Sequence, residues 1–207
     1  MSYLLAHPER IATLAAAHAA LVAAALAVAL AFALPLGITS ARNARIRPLL
    51  LGGLGAVYTI PSLALLALFV QLFGLGIAPI FLALVAYGQF MLVRNIDAGL
   101  RGVDPAARDA ARGIGLSPNQ SLLRIEIPLA LPVMIGGLRI AAIAMIAIAT
   151  LGGYVGGGGL GVLIFNGLTL HNNAMIVAGS VAVCTVAIAA DATLRLCEGA
   201  ARRRIGS

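Results

Sequence analysis

Long uncharged stretches constrain the fold of this chain more than any other sequence feature. Residues 48–93 carry no charge, and Arg139 is the only charged residue in 127–190. A helix needs about 20 apolar residues to cross a bilayer, so the first stretch is long enough for two crossings. Only 10% of the residues are charged, against roughly 25% in soluble domains. The sequence therefore predicts an all-α integral membrane protein.

Turn-like clusters divide the apolar stretches into about five transmembrane helices. Glycine and proline at 74–79 break the first stretch into a helical hairpin, and the glycine-rich run 152–161 breaks the second. A single membrane domain is predicted over 1–207, with spans near 14–38, 51–73, 78–93, 132–151 and 174–194. The charged segment 94–128 is predicted to be a loop.

The arginines indicate the orientation of these spans. Twelve of them form three groups: Arg42, Arg45, Arg47; Arg94, Arg101, Arg108, Arg112, Arg124; and Arg195, Arg202, Arg203, Arg204. With five spans all three groups lie on one side of the membrane, whereas an even number would separate them. Because positive loops stay in the cytoplasm, we expect the N-terminus outside and the C-terminus in the cytoplasm.

The same basic residues limit the possible functions. The net charge of +7 is explained by cytoplasmic loops beside membrane lipid, so no nucleic-acid partner is expected. All fourteen basic residues are arginine, and a chain without lysine has no P-loop lysine. We therefore expect no enzyme active site, cofactor or metal in this chain, and any ATP and Mg²⁺ on a separate polypeptide.

The charged loop contains signals for a short helix. Asp104 and Pro105 are typical of a helix start, and Gly113 and Gly115 of a helix end. Asp104 and Arg108 are spaced to pair at i and i+4. A capping box that starts at Ser117 predicts a second helix.

Small apolar residues recur on one face of the predicted helix, at Ala107, Ala110, Ala111 and Ile114. Such a face suits insertion into a groove of another protein. It equally suits a connector that packs on the spans of its own chain, and the residues alone leave both interpretations open.

A family resemblance favours the first interpretation. The loop resembles the signature of ABC importer permeases, which is E-A-A, three residues, G, nine residues and I-x-L-P, with Asp109 in place of Glu and Ile127 in place of Leu. The resemblance implies a type I ABC importer permease fold. It also implies that an ABC ATPase contacts this loop, through residues at Asp109, Ala110, Ala111, Gly115, Ile125 and Pro128.

Other segments resemble one branch of these permeases. Residues 59–64 are similar to the Q-T-I-P-S-L-A segment of glycine betaine, carnitine and choline permeases, with Tyr58 in place of Gln, and 156–161 fit the same branch. The resemblance implies a bacterial cytoplasmic membrane location, an osmoprotectant cargo, an extracytoplasmic substrate-binding protein and a second permease copy or homologue. A permease for methionine or another amino acid is the alternative, and a channel or anchor without an ATPase belongs to a different class.

Pro61 interrupts the second predicted span. Proline bends a helix and frees a carbonyl, which transporters use around a pathway. Tyr58, Thr59 and Ser62 beside it are therefore candidates to line the pathway. An ordinary kink whose hydroxyls bond within their own helix is the competing interpretation.

Arg139 lies within the fourth predicted span, where a charge is expensive and often functional. It could line the pathway, pair with Asp191 across the bundle, or extend to the cytoplasmic interface. A structural or gating role is favoured, since the expected cargo is itself cationic or zwitterionic. Asp191 is also spaced to pair with Arg195 on its own helix.

The glycine run lies on the predicted outer side. No lysine follows it, so it is not a phosphate-binding loop. Gly156, Gly157, Gly158 and Gly159 either form a flexible loop or give close backbone contact, with a docked binding protein or at an outer gate.

Overall fold

The computed structural model describes residues 2–205, without the side chains of Ser2, Arg204 and Ile205. The described elements are helices. They are α1 Ser2–Ala6, α2 Pro8–Arg42, α3 Ile46–Thr59, α4 Ser62–Phe73, α5 Ile77–Arg101, α6 Pro105–Gly113, α7 Pro118–Ser121, a π-helical turn Leu122–Glu126, α8 Ile127–Ala149, a 3₁₀ turn Thr150–Gly153, α9 Gly161–Thr169 and α10 Asn173–Ile205.

The spans agree with the predicted fold class. Four helical stretches are long and apolar enough to cross a membrane: α2, α5, the run Pro118–Gly153, and α10. Helices α3 and α4 are together apolar and long enough for a fifth span, and they are bent by 90° at the break between them, as in a broken span or a re-entrant loop. The prediction of an all-α membrane fold with about five spans is confirmed, although the second span is two helices at a right angle.

The helices extend beyond the predicted spans. Helix α5 continues to Arg101, and one helical run from Pro118 through the π-helical turn reaches Gly153. Most of the predicted loop 94–128 is therefore helical. The connection between the two long helical runs is residues 102–117, which contain α6. Charged residues mark where a helix leaves the lipid, but its hydrogen bonds continue into water. The change in charge was therefore the wrong boundary for the helix.

Small residues allow the long helices to pack closely. Ala25, Ala29 and Ala33 of α2 are fully buried at every fourth position, against α5 and α8. On α5, a Cβ at Gly88 would lie only 3.2 Å from the Cβ of Ala29. Lipid gives no hydrophobic force between helices, so close van der Waals packing of this kind holds a membrane bundle together.

The bundle has two different ends. At the arginine-rich end, Arg42 of α2 donates a hydrogen bond to the carbonyl of Pro118 at 2.7 Å. At the glycine-rich end, the amide of Gly76 donates to the carbonyl of Val155 at 2.8 Å and joins two turns. Helix α6 and the C-terminal half of α10 therefore lie at the opposite end from the glycine run.

Candidate functional site

Helix α6 begins and ends at the predicted positions. The carboxylate of Asp104 accepts a hydrogen bond from the amide of Ala106 at 2.9 Å, and Pro105 is the first helical residue. At the other end Gly115 has φ +81° and the amide of Leu116 donates to the carbonyl of Ala111 at 3.1 Å, which is a Schellman motif. The capping box at Ser117 is also present. The structure thus confirms the short helix that the local sequence signals predicted, with a cap at each end.

The four-residue apolar stripe of α6 does not form a single exposed face. Ala111 is only 2% exposed and Ala107 is half-buried, whereas Ala110 is exposed and Ile114 is 76% exposed. Asp109 is exposed as well. Both interpretations of the stripe therefore hold in part: Ala111 packs on its own chain, and Ala110 and Ile114 remain available to a partner.

Glu126 holds α6 against the spans. Its Oε2 lies 3.3 Å from Nε of Arg108, and its Oε1 accepts a hydrogen bond from Ser121 at 3.1 Å. Arg108 also donates to the carbonyl of Leu100 at the end of α5. The expected pair of Asp104 with Arg108 is wrong, because Asp104 caps the helix while Arg108 turns toward these other acceptors. Glu126 is the variable second position of the I-x-I-P motif. The one sequence signal that it contacts an arginine was its place as a single acid in a segment rich in arginine.

The remaining signature positions are divided between the surface and the interior. Ile125 is half-buried within the π-helical turn, and Pro128 is exposed at the start of α8. Gly115 is exposed and supplies the positive φ that ends α6. Exposed signature residues available to a partner are therefore Asp109, Ala110, Gly115 and Pro128.

The break at Pro61 brings aromatic residues together. The hydroxyl of Tyr87 donates to the carbonyl of Ile60, which lies between the two helices. The ring of Tyr58 packs edge-on against Tyr87, with centroids 5.8 Å apart, and at 5.1 Å from Phe90. Tyr87 therefore anchors the bend, a role that the sequence interpretation missed.

The other residues at the break are divided between the two earlier interpretations. Thr59 is exposed, but its hydroxyl donates to the carbonyl of Ala56 at 2.8 Å, as expected for an ordinary kink. Pro61 is exposed and Ser62 is half-buried at the first position of α4. Of these hydroxyls, that of Thr59 is bonded within its own helix, whereas those of Tyr58 and Ser62 have no hydrogen-bond partner within residues 2–205 that the structure describes.

Arg139 pairs across the bundle. Its Nε lies 2.6 Å from Oδ1 of Asp191, and its Nη1 lies 2.9 Å from Oε2 of Glu198. Each acid has a second arginine four residues further along α10, Arg195 at 2.6 Å and Arg202 at 2.8 Å. Of the three earlier possibilities for Arg139, the structure shows the pair with Asp191, and the Asp191–Arg195 pair is present beside it. Glu198 is a partner that the sequence did not indicate.

The glycine run is partly internal. Gly156, Gly158 and Gly159 have φ of 78°, 78° and 72°, so these positions favour glycine. Gly159 is buried against His18, whose Nε2 lies 3.0 Å from the carbonyl of Ile146. Gly156 is exposed, whereas Gly157 and Gly158 are half-buried. The run is thus packed on α2, and Gly156 is its exposed position.

Taken together, four or five apolar spans with one short, partly exposed helix at the arginine-rich end define a multi-span helical membrane protein. The chain belongs to the family described as binding-protein-dependent transport system inner membrane component, whose family model matches residues 33–202.

Individual relatives agree with this family. The chain is 38% identical over 164 residues to the choline transport system permease protein OpuBB of Bacillus subtilis, which covers 79% of this chain and 76% of that one. It is 36% identical over 194 residues to the osmoprotectant import permease protein OsmW of Salmonella typhimurium, covering 91% and 90%. It also matches 28% of the longer ergothioneine transport permease/ergothioneine binding protein EgtU of Helicobacter pylori, at 38% identity over 75% of this chain.

Solved structures show the same fold. An inward-facing MetNI methionine ABC transporter matches with a TM-score of 0.76 at 19% identity, over 90% of this chain and 95% of that one. The type I ABC importer permease fold that the resemblance implied is confirmed.

Proposed function

We propose that this chain is the membrane permease subunit of an ATP-driven importer for quaternary ammonium osmoprotectants such as glycine betaine, carnitine or choline. The observation that carries the proposal is its identity of 36–38% to permeases named for choline and osmoprotectants, over most of both chains. The amino-acid alternative has weaker support, because those structures are only 19–20% identical and share the fold alone.

An ABC ATPase is proposed to bind at α6. This helix carries an exposed face at Ala110 and Ile114. Through Arg108 it contacts Leu100 of α5 and Glu126 of the π-helical turn that precedes α8. A partner that moves α6 would therefore move the inner ends of the spans. ATP and Mg²⁺ belong to this separate subunit, and no ATP hydrolysis is assigned to the permease.

The arginine-rich end is proposed to face the bacterial cytoplasm, with the N-terminus outside. The outer, glycine-rich end then receives cargo from a substrate-binding protein, near Gly156. Helix α3 has no buried residue, and α4 exposes Leu68 and Leu72 at 53% and 65%. These apolar surfaces are proposed to face lipid and a second permease copy or homologue, with the pathway between the two near Tyr58 and Ser62.

Uptake by proteoliposomes tests this function. The permease is reconstituted with its ATPase and binding protein, and uptake of labelled choline, glycine betaine, carnitine, ergothioneine and methionine is compared. We expect ATP-dependent accumulation of a quaternary ammonium compound and none when the ATPase is omitted. Accumulation against a gradient without the ATPase would contradict the proposal, and a preference for methionine would support the amino-acid alternative.

A further inference from the structure

Four arginines from three segments surround one cavity at the arginine-rich end. The cavity has a volume of about 520 Å³ and lies between the ends of α2 and α5, helix α6 and the start of the run Pro118–Gly153. This volume falls within the ~300–1,000 Å³ typical of small-molecule sites. The arginines that line it are Arg42, Arg101, Arg108 and Arg112.

The lining of the cavity has an excess of positive charge. Glu126 is the only acidic residue among its lining residues, facing four arginines. Asp97 and Asp109 lie just outside, and each neutralises part of one guanidinium. Like charges that converge on one cleft repel one another and focus a positive potential within it. An anion in the cavity would therefore stabilise this arrangement.

Three of the guanidinium groups retain free donors. Arg42 donates to the carbonyl of Pro118 and Arg108 to that of Leu100, but Nε of Arg108, 3.3 Å from Glu126, is buried and makes no hydrogen bond with the part of the chain that the structure describes. Arg101 has one carboxylate at 3.8 Å and Arg112 one at 3.6 Å, both beyond hydrogen-bond distance. Arginine presents several N–H donors in a planar fork that matches phosphate oxygens.

The cavity adjoins the surface proposed for the ATPase, at the point where Arg112 lies 3.6 Å from Asp109. At 100° per residue, Arg108 and Arg112 lie on the opposite side of α6 from Ala110. Leu100, Leu116 and Leu122 also line the cavity, so the site combines positive charge with apolar surface. Basic pockets between helices at the cytoplasmic membrane edge suit the headgroups of anionic lipids.

We propose that this cavity binds a phosphate group, held chiefly by Arg101 and Arg112, and that the headgroup of an anionic phospholipid supplies it. The site joins α2, α5, α6, α7 and the π-helical turn that precedes α8, so an occupied site would hold α6 on the spans. Free phosphate esters share the same chemistry, and the experiment separates the two sources.

Native mass spectrometry of the delipidated full-length chain measures binding of phosphatidylglycerol, zwitterionic phosphatidylcholine and soluble glycerol 3-phosphate. Phosphatidylglycerol should bind most tightly. Arg101→Gln with Arg112→Gln should weaken it ~10-fold or more, since charge-assisted hydrogen bonds to phosphate are lost. Arg45→Gln with Arg203→Gln removes the same charge from exposed positions that do not line the cavity, and should leave binding unchanged.

Asp109→Asn tests the sign of the effect. It removes the exposed carboxylate that lies 3.6 Å from Arg112, leaves the contacts of Glu126 with α6 intact, and should tighten binding, a gain that misfolding cannot produce. Equal binding of glycerol 3-phosphate and phosphatidylglycerol would identify free phosphate as the source and keep the site. Equal weakening by the cavity and control pairs, equal binding of phosphatidylcholine by the wild type, or no gain in Asp109→Asn would overturn the proposal.

Discussion

Nε of Arg139 lies 2.6 Å from Oδ1 of Asp191 and joins α8 to α10 within the bundle. The same guanidinium contacts Glu198, about two helical turns after Asp191 on α10. Arg139 of α8 therefore contacts α10 at two points. A single guanidinium with two carboxylates gives a geometrically specific contact between helices.

Removal of this guanidinium should loosen α10. We expect Arg139→Gln to lower the midpoint of thermal unfolding, followed by circular dichroism in detergent, more than Arg195→Gln does. Arg195 is 68% exposed, and its ion pair among the described residues is with Asp191, on its own helix. Equal midpoints for the two variants would show that the contact between α8 and α10 adds nothing to stability.

Neighbouring alanines of α6 should respond differently to the same substitution. Ala110→Trp adds bulk at the exposed face, so the permease should fold normally while ATP hydrolysis loses its coupling to uptake. Ala111 is 2% exposed, and overpacking of a buried site costs ~1–3 kcal/mol, so Ala111→Trp should destabilise the protein itself. Thermal unfolding and the ratio of ATP hydrolysed to cargo transported separate the two outcomes. Normal coupled transport in Ala110→Trp would remove α6 as the ATPase contact.

The N-cap of α6 should be measurable by itself. Asp104→Ala removes the acceptor for the amide of Ala106 and should cost about 1 kcal/mol of local helix stability, whereas Asp104→Ser should retain most of it. Hydrogen exchange of the α6 amides measures this change. Asp109→Ala is the control, because its carboxylate is exposed and lies near Arg112 rather than a helix end. Identical protection in Asp104→Ala and the wild type would contradict the assigned cap.

Gly159 should tolerate a side chain less well than Gly156. Both have positive φ, so alanine at either costs ~1–2 kcal/mol. A Cβ at Gly159 would also lie 2.9 Å from Nδ1 of His18, whereas at Gly156 its nearest neighbour is 3.8 Å away. We therefore expect Gly159→Ala to unfold at a lower temperature, and His18→Ala to restore part of the loss. A purely additive double variant would show that His18 does not cause the difference.

The site illustrates which contacts a sequence can reveal. The ends of α6 were predictable because each signal acts within a few residues. Asp104 caps the amide of Ala106 in the first turn, and Gly115 supplies the positive φ that ends the last turn. The stripe at Ala107–Ile114 defined a face but could not show what would cover it. Pairing of Arg108 with Glu126 depends on how α6 packs against the π-helical turn before α8, so the simpler i,i+4 pair with Asp104 was the wrong expectation.

The sequence by itself determined that the chain lies in lipid, approximately where its spans are, and where the short helix α6 begins and ends. Long uncharged stretches require lipid, and caps and turns act locally. Only the tertiary structure decided that Ala111 faces inward, that Tyr87 anchors the break at Pro61, that Arg139 bridges to Asp191 and Glu198, and that four arginines share one cavity. Each of these depends on helices distant in sequence meeting at particular faces. The shapes and charges of two packed helices decide those contacts together, so the sequence of one segment alone does not reveal them.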